Sequence, residues 1–193
     1  MRGGHCVVEI QVSHPEDWIG VPEQWPNEGW PTPDKWAVAL VEELVGGWGP
    51  PSGDQSEVMR VLLVDLALMA EKRGSRACCS IDGWSGSLTI AFLAAFTLQG
   101  MDGTTVEELA ADQADAVEKP IVEGFVSDSG LVRWATTRYS QGSESPGLVA
   151  RLDYLWPTPG GCLWLSTANS DLVAFERSRL LVAELARTVA VIP

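Results

Sequence analysis

The sequence predicts an α+β fold, an antiparallel β-sheet of about six or seven strands with helices packed on it. Strand-like segments follow one another in the second half of the chain, and the short polar turns between them favour antiparallel neighbours. Helix-like segments come in blocks and do not alternate regularly with strands, so a parallel β-α-β arrangement is not expected. With 193 residues, 46% of them hydrophobic, the chain suits one domain with its own core.

The N-terminal part is predicted to hold a strand, an irregular segment and a helix. Apolar residues fall mostly on alternate positions over residues 6–12, which is typical of a half-buried strand. Residues 13–33 contain five prolines and three tryptophans and cannot form a continuous helix. The Thr-Pro-Asp sequence at residues 32–34 supplies an N-cap, a first-turn proline and an acid, and predicts a helix that ends at the glycine pair 46–47.

The middle of the chain is predicted to hold two helices and a hairpin. Residues 56–73 are apolar on most sides, so we expect them to form the most buried helix, which Gly74 ends. Residues 76–81 and 87–98 predict the first hairpin. A capping box that begins at Thr105 predicts a helix to about residue 118. Its acidic side chains are expected to form one surface: Glu107, Glu108, Asp112, Asp115 and Glu118.

The last part of the chain is predicted to hold four strands and a helix. The strands are expected at residues 121–126, 131–139, 148–156 and 162–167, and the helix at 172 to about 189, with its cap within residues 169–171. No repeat or low-complexity tract divides the chain. We therefore expect a single α+β domain over residues 1–193, with the irregular Trp/Pro-rich segment at 13–33.

Charge and hydropathy exclude several functions. The net charge is −13, with 26 acidic and 13 basic residues, which disfavours nucleic acids and anionic membranes and favours a basic protein partner or plain solubility. The apolar runs are too short to predict a membrane span. The first residues lack the features of a signal peptide, so the expected location is the cytoplasm.

No cofactor or metal site is predicted. The chain lacks the usual zinc-binding spacings, and His5 with Cys6 would bind metal only if another cysteine lay nearby. We expect free, buried thiols at Cys6, Cys78, Cys79 and Cys162.

No catalytic residue is predicted either. A G-x-S-x-G elbow is missing, and the Gly-rich stretch 46–49 is followed by prolines, so nucleophilic catalysis and phosphate binding are not indicated. Three acids near predicted strand ends would be the first to check in a carboxylate-based enzyme: Asp82, Asp128 and Asp153.

Nine tryptophans are the least expected feature of the composition. Those on predicted strands are expected in the core. Trp18, Trp25 and Trp30 lie in the proline-rich segment, where they either fold inward or meet a partner, and exposed tryptophans often anchor interfaces. We name these three residues as candidate partner-binding residues, with Trp25 and Trp30 first, together with the acids Glu107, Glu108, Asp112 and Asp115.

Two regions resemble known families. The Gly-Cys-Leu-Trp-Leu-Ser-Thr strand at 161–167, the Asn-Ser-Asp-Leu junction at 169–172 and a helix ending in Leu-Ala-Arg-Thr-Val at 185–189 resemble the end of PsbP-like sandwich domains, including small actinobacterial LpqN-like proteins. Residues 70–92 look similar to uncharacterised actinobacterial proteins, some of which accompany type VII secretion genes. The resemblance implies a PsbP-like sandwich and, by analogy with adaptor and binding proteins of that kind, a non-enzymatic role.

The leading functional hypothesis is a non-catalytic protein-binding or accessory protein, in its more specific form an immunity-type or chaperone-like factor for a basic toxin or secreted protein. The alternatives are a carboxylate-based enzyme and a protein that binds a small apolar ligand between sheet and helix. A large apolar cavity would favour the last of these.

Overall fold

The computed structural model describes residues 9–13, 15–84, 88–97, 105–112, 115–126, 132–141, 147–158 and 161–192. Over these residues the chain forms nine strands and four helices. The strands are β1 Glu9–Val12, β2 Ile19–Val21, β3 Arg76–Ile81, β4 Leu88–Thr97, β5 Ile121–Val126, β6 Val132–Gln141, β7 Leu148–Thr158, β8 Gly161–Asn169 and β9 Val189–Ile192. The helices are α1 Pro33–Trp48, α2 Gln55–Arg73, α3 Val106–Ala110 and α4 Leu172–Thr188.

The predicted fold class is confirmed. Within the described part of the chain, seven strands form one antiparallel sheet in the order β2-β3-β4-β8-β7-β6-β5, and β1 pairs with β9 in a separate two-stranded sheet. The strands predicted at residues 76–81 and 121–126 have the predicted bounds. Two short strands, β2 and β9, were not predicted because three or four residues are too few to show an alternating pattern.

The chain divides into two compact units. One is Asp17–Phe92, which contains α1 and α2 and is called the helical unit below. The other consists of Met1–Glu16 and Leu93–Pro193, contains α3 and α4, and is called the sheet unit. That residues 1–193 form a single domain stays a prediction.

The two helices of the helical unit begin and end largely as the sequence predicts. Thr32 caps α1, since its Oγ1 accepts a hydrogen bond from the Lys35 amide at 3.2 Å. Gly74 ends α2 in the left-handed conformation, with φ of 59°. The predicted end of α1 at residues 46–47 is wrong, because the helix continues through both glycines to Trp48 and Gly49 takes positive φ instead.

The core of the helical unit lies between the helices and β2 and β3. Trp36 of α1 and Leu63, Leu66 and Ala70 of α2 are buried there together with Cys79 of β3. Both Cys78 and Cys79 are buried although neighbouring residues of a strand point to opposite faces, so β3 is covered on both sides.

The sheet unit carries one helix on each face. Leu155 of β7 packs with Val106 and Ala110 of α3, whereas Leu152 and Tyr154, which point to the other face, lie against α4. Helix α4 is capped by Asp171, whose carboxylate accepts hydrogen bonds from two amides of the first turn. The predicted cap and bounds of this helix are therefore close to the observed ones.

The predicted length of the third helix is wrong. The capping box of Thr105 and Glu108 is present as predicted, but α3 ends at Ala110 and not near residue 118. The following chain pairs with β6 instead, since Ala116 bridges Ser140 and the Val117 amide donates a hydrogen bond to the Tyr139 carbonyl at 2.8 Å. A non-local pairing has thus replaced the last turns of the expected helix.

Candidate functional site

Helix α2 presents apolar side chains on two sides. Its inner side is buried in the core of the helical unit through Met59, Leu63, Leu66, Ala67 and Ala70. The opposite side carries a second set of large apolar residues that are 39–50% exposed, and we call this set the outer stripe: Val58, Val61, Leu62, Leu68 and Met69. Their three- and four-residue spacing places them along one face of the helix.

The outer stripe contains little charge. By helical spacing, Asp65 lies in the middle of it and Lys72 at its C-terminal end. Burying apolar residues on one side of a helix is enough to pack it, so the second apolar side is not explained by the fold of this unit. Contiguous exposed apolar surface marks interaction sites more often than scattered single residues do.

Sequence reasoning missed this surface. We expected the helix to be the most buried one because it is apolar on most sides, and this expectation is wrong for the outer stripe. The signal was present in the spacing of residues 58, 61, 62, 68 and 69, which is offset from the spacing of the core residues. Sequence alone does not tell which of two apolar faces meets the core.

An ionic cluster lies beside the N-terminal half of α2. The Arg60 guanidinium binds Glu57 through two hydrogen bonds, of 2.6 and 2.8 Å, and also pairs with Asp34 of α1. The bond to Arg60 lowers the pKa of the Glu57 carboxyl, and the pKa of Arg60 is correspondingly raised. One cation is therefore shared by two acids, which leaves this end of α2 with an excess of negative charge.

The three candidate tryptophans differ in exposure. Trp18 is only 5% exposed, and Trp25 is half-buried, with its ring centroid 6.2 Å from that of Trp36. Trp30 is 36% exposed, and its amide donates a 2.7 Å hydrogen bond to the Asn27 side chain. Of the three, Trp30 offers its ring most freely to a partner, and the partner-binding role itself stays a prediction.

Trp48, at the end of α1, is a further exposed tryptophan in the helical unit. Its ring packs edge-on against Trp84 at a centroid distance of 5.7 Å, and the Trp84 Nε1–H donates a 3.0 Å hydrogen bond to the Gly49 carbonyl. The ring of Trp48 is thus held in place by a neighbour while one side remains open to solvent.

The four candidate acids do not share one helix face, because α3 ends before two of them. Glu107 is exposed, and Glu108 accepts a 2.7 Å hydrogen bond from the Thr105 amide as part of the capping box. Asp112 lies just beyond the helix, and Asp115 pairs with the nearly buried Arg138 at 2.9 Å. The prediction that one helix presents these acids is therefore wrong, because α3 ends at Ala110, and their role in partner binding stays a prediction.

Two of the three acids named for a carboxylate-based enzyme lie in the described part of the chain, and their surroundings differ. Asp153 is 3% exposed and accepts hydrogen bonds from Trp164 Nε1 at 2.8 Å and Arg151 Nε at 2.9 Å. Asp82 is exposed, and Asp128 lies outside the described residues. No group of three or more histidine, cysteine or acidic side chains suited to a metal occurs in the described ranges.

The prediction of buried thiols outside any disulfide is confirmed at Cys78, Cys79 and Cys162. Burial raises the pKa of Cys78 to about 11 and those of Cys79 and Cys162 to about 12, so these thiols stay protonated and unreactive near neutral pH. Cys6 and the two histidines, His5 and His14, lie outside the described part of the chain.

Comparisons with known proteins assign no family. No protein-family model matches the chain, and a search of curated proteins finds no significant match. Among the described helices, none combines the length and apolar character needed to cross a membrane.

Proposed function

We propose that this chain is a non-catalytic protein-binding or accessory protein that binds another protein through the outer stripe of α2. The observation that carries the proposal is the set of five large apolar side chains, 39–50% exposed, on one side of a helix whose other side already fills the core. Burial of such side chains is the main source of affinity in protein interfaces.

The partner we propose is basic, with an apolar segment flanked by lysine or arginine. The chain carries a net charge of −13. Asp65 lies within the outer stripe, and Asp34 and Glu57 share the cation Arg60 beside its N-terminal half, whereas Lys72 lies only at its C-terminal end. Complementary charge speeds association and selects among apolar partners. The same charge opposes binding to nucleic acids.

The biological role that suits this chemistry is an immunity-type or chaperone-like factor, acting in the cytoplasm on a basic toxin or secreted protein. Such a factor needs no catalytic group. It needs a surface that covers an apolar segment of its client, and the outer stripe is a surface of that kind.

The proposal is tested by affinity capture with matched variants. Leu62→Glu/Leu68→Glu introduces two charges into the outer stripe, and Leu172→Glu/Val173→Glu introduces two charges at exposed apolar positions of α4. The partner retained by the wild-type chain should be lost with the α2 variant and kept with the α4 variant. With the purified pair, calorimetry should give at least about tenfold weaker binding for the α2 variant; equal binding by both variants would refute the proposal.

The candidate tryptophans are tested separately from the outer stripe. Trp30→Ala removes the exposed ring, and Trp25→Ala removes the half-buried one, which also packs against the core. If the tryptophan segment contributes to the interface, Trp30→Ala weakens binding without changing the free energy of unfolding. Binding unchanged by Trp30→Ala removes the segment from the interface.

The charge of the partner is tested by ionic strength. Raising the salt concentration from about 0.05 to 0.5 M screens pairs at the rim of an interface, because the screening length shrinks well below 10 Å. The association rate with the purified partner should fall with salt. A rate independent of salt would contradict a basic partner.

A further inference from the structure

A cavity of about 410 Å³ lies in the sheet unit, between α4 and the strands β5, β6 and β7. Its size falls within the range of small-molecule sites, which is roughly 300–1,000 Å³. Phe125, Leu152, Tyr154 and Ala183 are among the side chains that form its apolar wall. None of its lining residues belongs to the outer stripe of α2, and the cavity has no part in the proposed function.

The strand register explains why the cavity exists. Glu123, Ala135 and Tyr154 form one row across three strands, because Glu123 pairs with Ala135 and Ala135 pairs with Tyr154. The small Ala135 thus lies between two larger side chains. On the helix side the wall is formed by another alanine, Ala183. Small residues on both sides leave a hollow that larger ones would fill.

The two aromatic rings of the wall pack against each other. The rings of Phe125 and Tyr154 pack edge-to-face with centroids 6.3 Å apart, and Tyr154 and Leu152 are buried. The Arg187 guanidinium lies 5.8 Å from the centre of the Phe125 ring. A preformed apolar wall of this type binds an apolar ligand without the loss of much side-chain entropy.

Two charged side chains contribute to the lining, Arg179 from α4 and Glu123 from β5. Arg179 Nη1 lies 3.4 Å from both carboxylate oxygens of Glu176, which is long for a charge-assisted hydrogen bond. The guanidinium therefore retains donors for a better acceptor. Its planar fork matches a carboxylate in particular.

We propose that this cavity binds a small molecule with an apolar body and a carboxylate end, with the apolar body against Phe125, Leu152 and Tyr154 and the carboxylate on Arg179. The lining carries one cation, Arg179, and one acid, Glu123. Glu176 contacts Arg179 only at 3.4 Å, so the guanidinium retains donors for a carboxylate, and these donors favour an anionic end over an ammonium end.

Calorimetric titration of the full chain with three ligands of equal length tests the proposal. Octanoate, octan-1-ol and octylamine each contain eight carbons, one of which is the carboxyl carbon in octanoate, and they differ in their polar end. Octanoate should bind with one site per chain and more tightly than octan-1-ol, and octylamine should bind most weakly. Tighter binding of octylamine than of octanoate would assign the charge selectivity to Glu123 and overturn the proposal.

Variants of the lining locate the site. Ala183→Trp fills the cavity and should abolish octanoate binding, and Ala135→Leu fills it from the opposite wall and should do the same. Arg179→Gln should weaken octanoate about tenfold or more while leaving octan-1-ol unchanged. Arg177→Gln is the matched control, since Arg177 is exposed on the same helix outside the cavity, and should bind as the wild type does.

The circular dichroism spectrum and melting temperature of each variant establish that it is folded before binding is measured. A folded Ala183→Trp or Ala135→Leu protein that binds octanoate as tightly as the wild type would refute the site. Equal weakening by Arg179→Gln and Arg177→Gln would refute the role of Arg179. Failure of the wild-type chain to bind any of the three ligands saturably would refute the proposal as a whole.

Discussion

Helices α2 and α4 are both long and both pack one side against strands, yet their outer sides differ. The exposed residues of α4 include Glu176, Arg177, Glu184 and Arg187, with three large apolar side chains, Leu172, Val173 and Leu180. The exposed residues of α2 include the five apolar residues of the outer stripe, which contains Asp65 and ends at Lys72, and three further charged residues outside it, Glu57, Glu71 and Arg73.

The difference between the two outer sides indicates that the exposed apolar residues of α2 are not required for folding. A charged outer side such as that of α4 is the ordinary result of packing one face of an amphipathic helix. The outer side of α2 leaves apolar surface exposed that packing against the core does not cover, although the chain as a whole is strongly acidic. Such a surface is expected to be covered by a partner.

The largest expected difference in the free energy of unfolding is between substitutions on the two sides of α2. Leu63→Ala removes a side chain that is fully buried and should lower the free energy of unfolding by about 3 kcal/mol. Leu62→Ala removes the neighbouring side chain, which is 44% exposed, and should lower it by less than about 1 kcal/mol. Urea denaturation of both variants measures the two values. Equal losses would mean that the outer stripe is part of the fold.

Replacing a glycine by alanine should change the stability in opposite directions at two positions, one in each unit. A methyl group on Gly161 would collide with the Phe96 carbonyl oxygen, so Gly161→Ala should destabilise the protein by about 2 kcal/mol. A methyl group on Gly47, inside α1, would meet open space, so Gly47→Ala should stabilise it by about 0.5–1 kcal/mol. Thermal melts of the two variants should shift in opposite directions. A shift in the same direction would contradict the local packing described here.

A smaller difference in stability is expected between variants of the N-caps of α4 and α2. Asp171 accepts hydrogen bonds from the Val173 and Ala174 amides, so Asp171→Ala should cost about 1 kcal/mol of stability. Asp54 occupies the same position before α2 but makes no capping hydrogen bond through its side chain, so Asp54→Ala should cost less than about 0.5 kcal/mol. Chemical denaturation distinguishes the two values, and an equal loss in both variants would contradict the observed caps.

The rate at which the buried thiols are modified measures how readily each unit opens, without a substitution in the core. In a Cys6→Ser protein at pH 8, a thiol reagent should modify no cysteine of the native chain quickly and three cysteines of the denatured chain. Slow modification of Cys79 reports opening of the helical unit, and that of Cys162 reports opening of the sheet unit. Equal protection of the two would support one cooperative domain, and unequal protection would show that the units open separately.

The buried thiols also make the free energy of unfolding depend on pH. The pKa of Cys79 is raised in the folded chain to about 12 from an ordinary value of 9.0, so the folded state holds this proton more tightly than the unfolded state does. The stability that this difference contributes is complete below pH 9 and is lost as the pH rises toward 12. The free energy of unfolding should therefore fall over that interval less steeply in a Cys79→Ala protein than in the wild type.

Most of the fold was predictable because it rests on local patterns. The strands β3 and β5, the Thr32 cap, the Thr105 capping box and the stop at Gly74 all follow from residues within a few positions of one another. The end of α3 was not predictable, because it depends on the pairing of Ala116 with the distant Ser140. The resemblance to PsbP-like sandwich domains stays a prediction.

The candidate sites were less predictable than the fold. The spacing of Leu62 and Leu68 shows that they share a helix face, but only the packing of α2 reveals that this face is exposed. The cavity of the sheet unit depends on Ala135 and Ala183, which are far apart in sequence and come together through the position of α4 on the sheet. Trp18 shows the opposite case, since a residue in an irregular segment proved to be buried.

The central claim is that the outer stripe of α2 is a protein-binding surface, and site-specific photo-crosslinking in the native cell tests it most directly. A benzophenone amino acid placed at Leu68 samples the outer stripe, and the same group at Val173 samples an exposed apolar position of α4 that is more accessible to solvent. We expect a discrete crosslinked product of one additional protein at Leu68 and none at Val173. The same products at both positions, or none at Leu68, would contradict the claim.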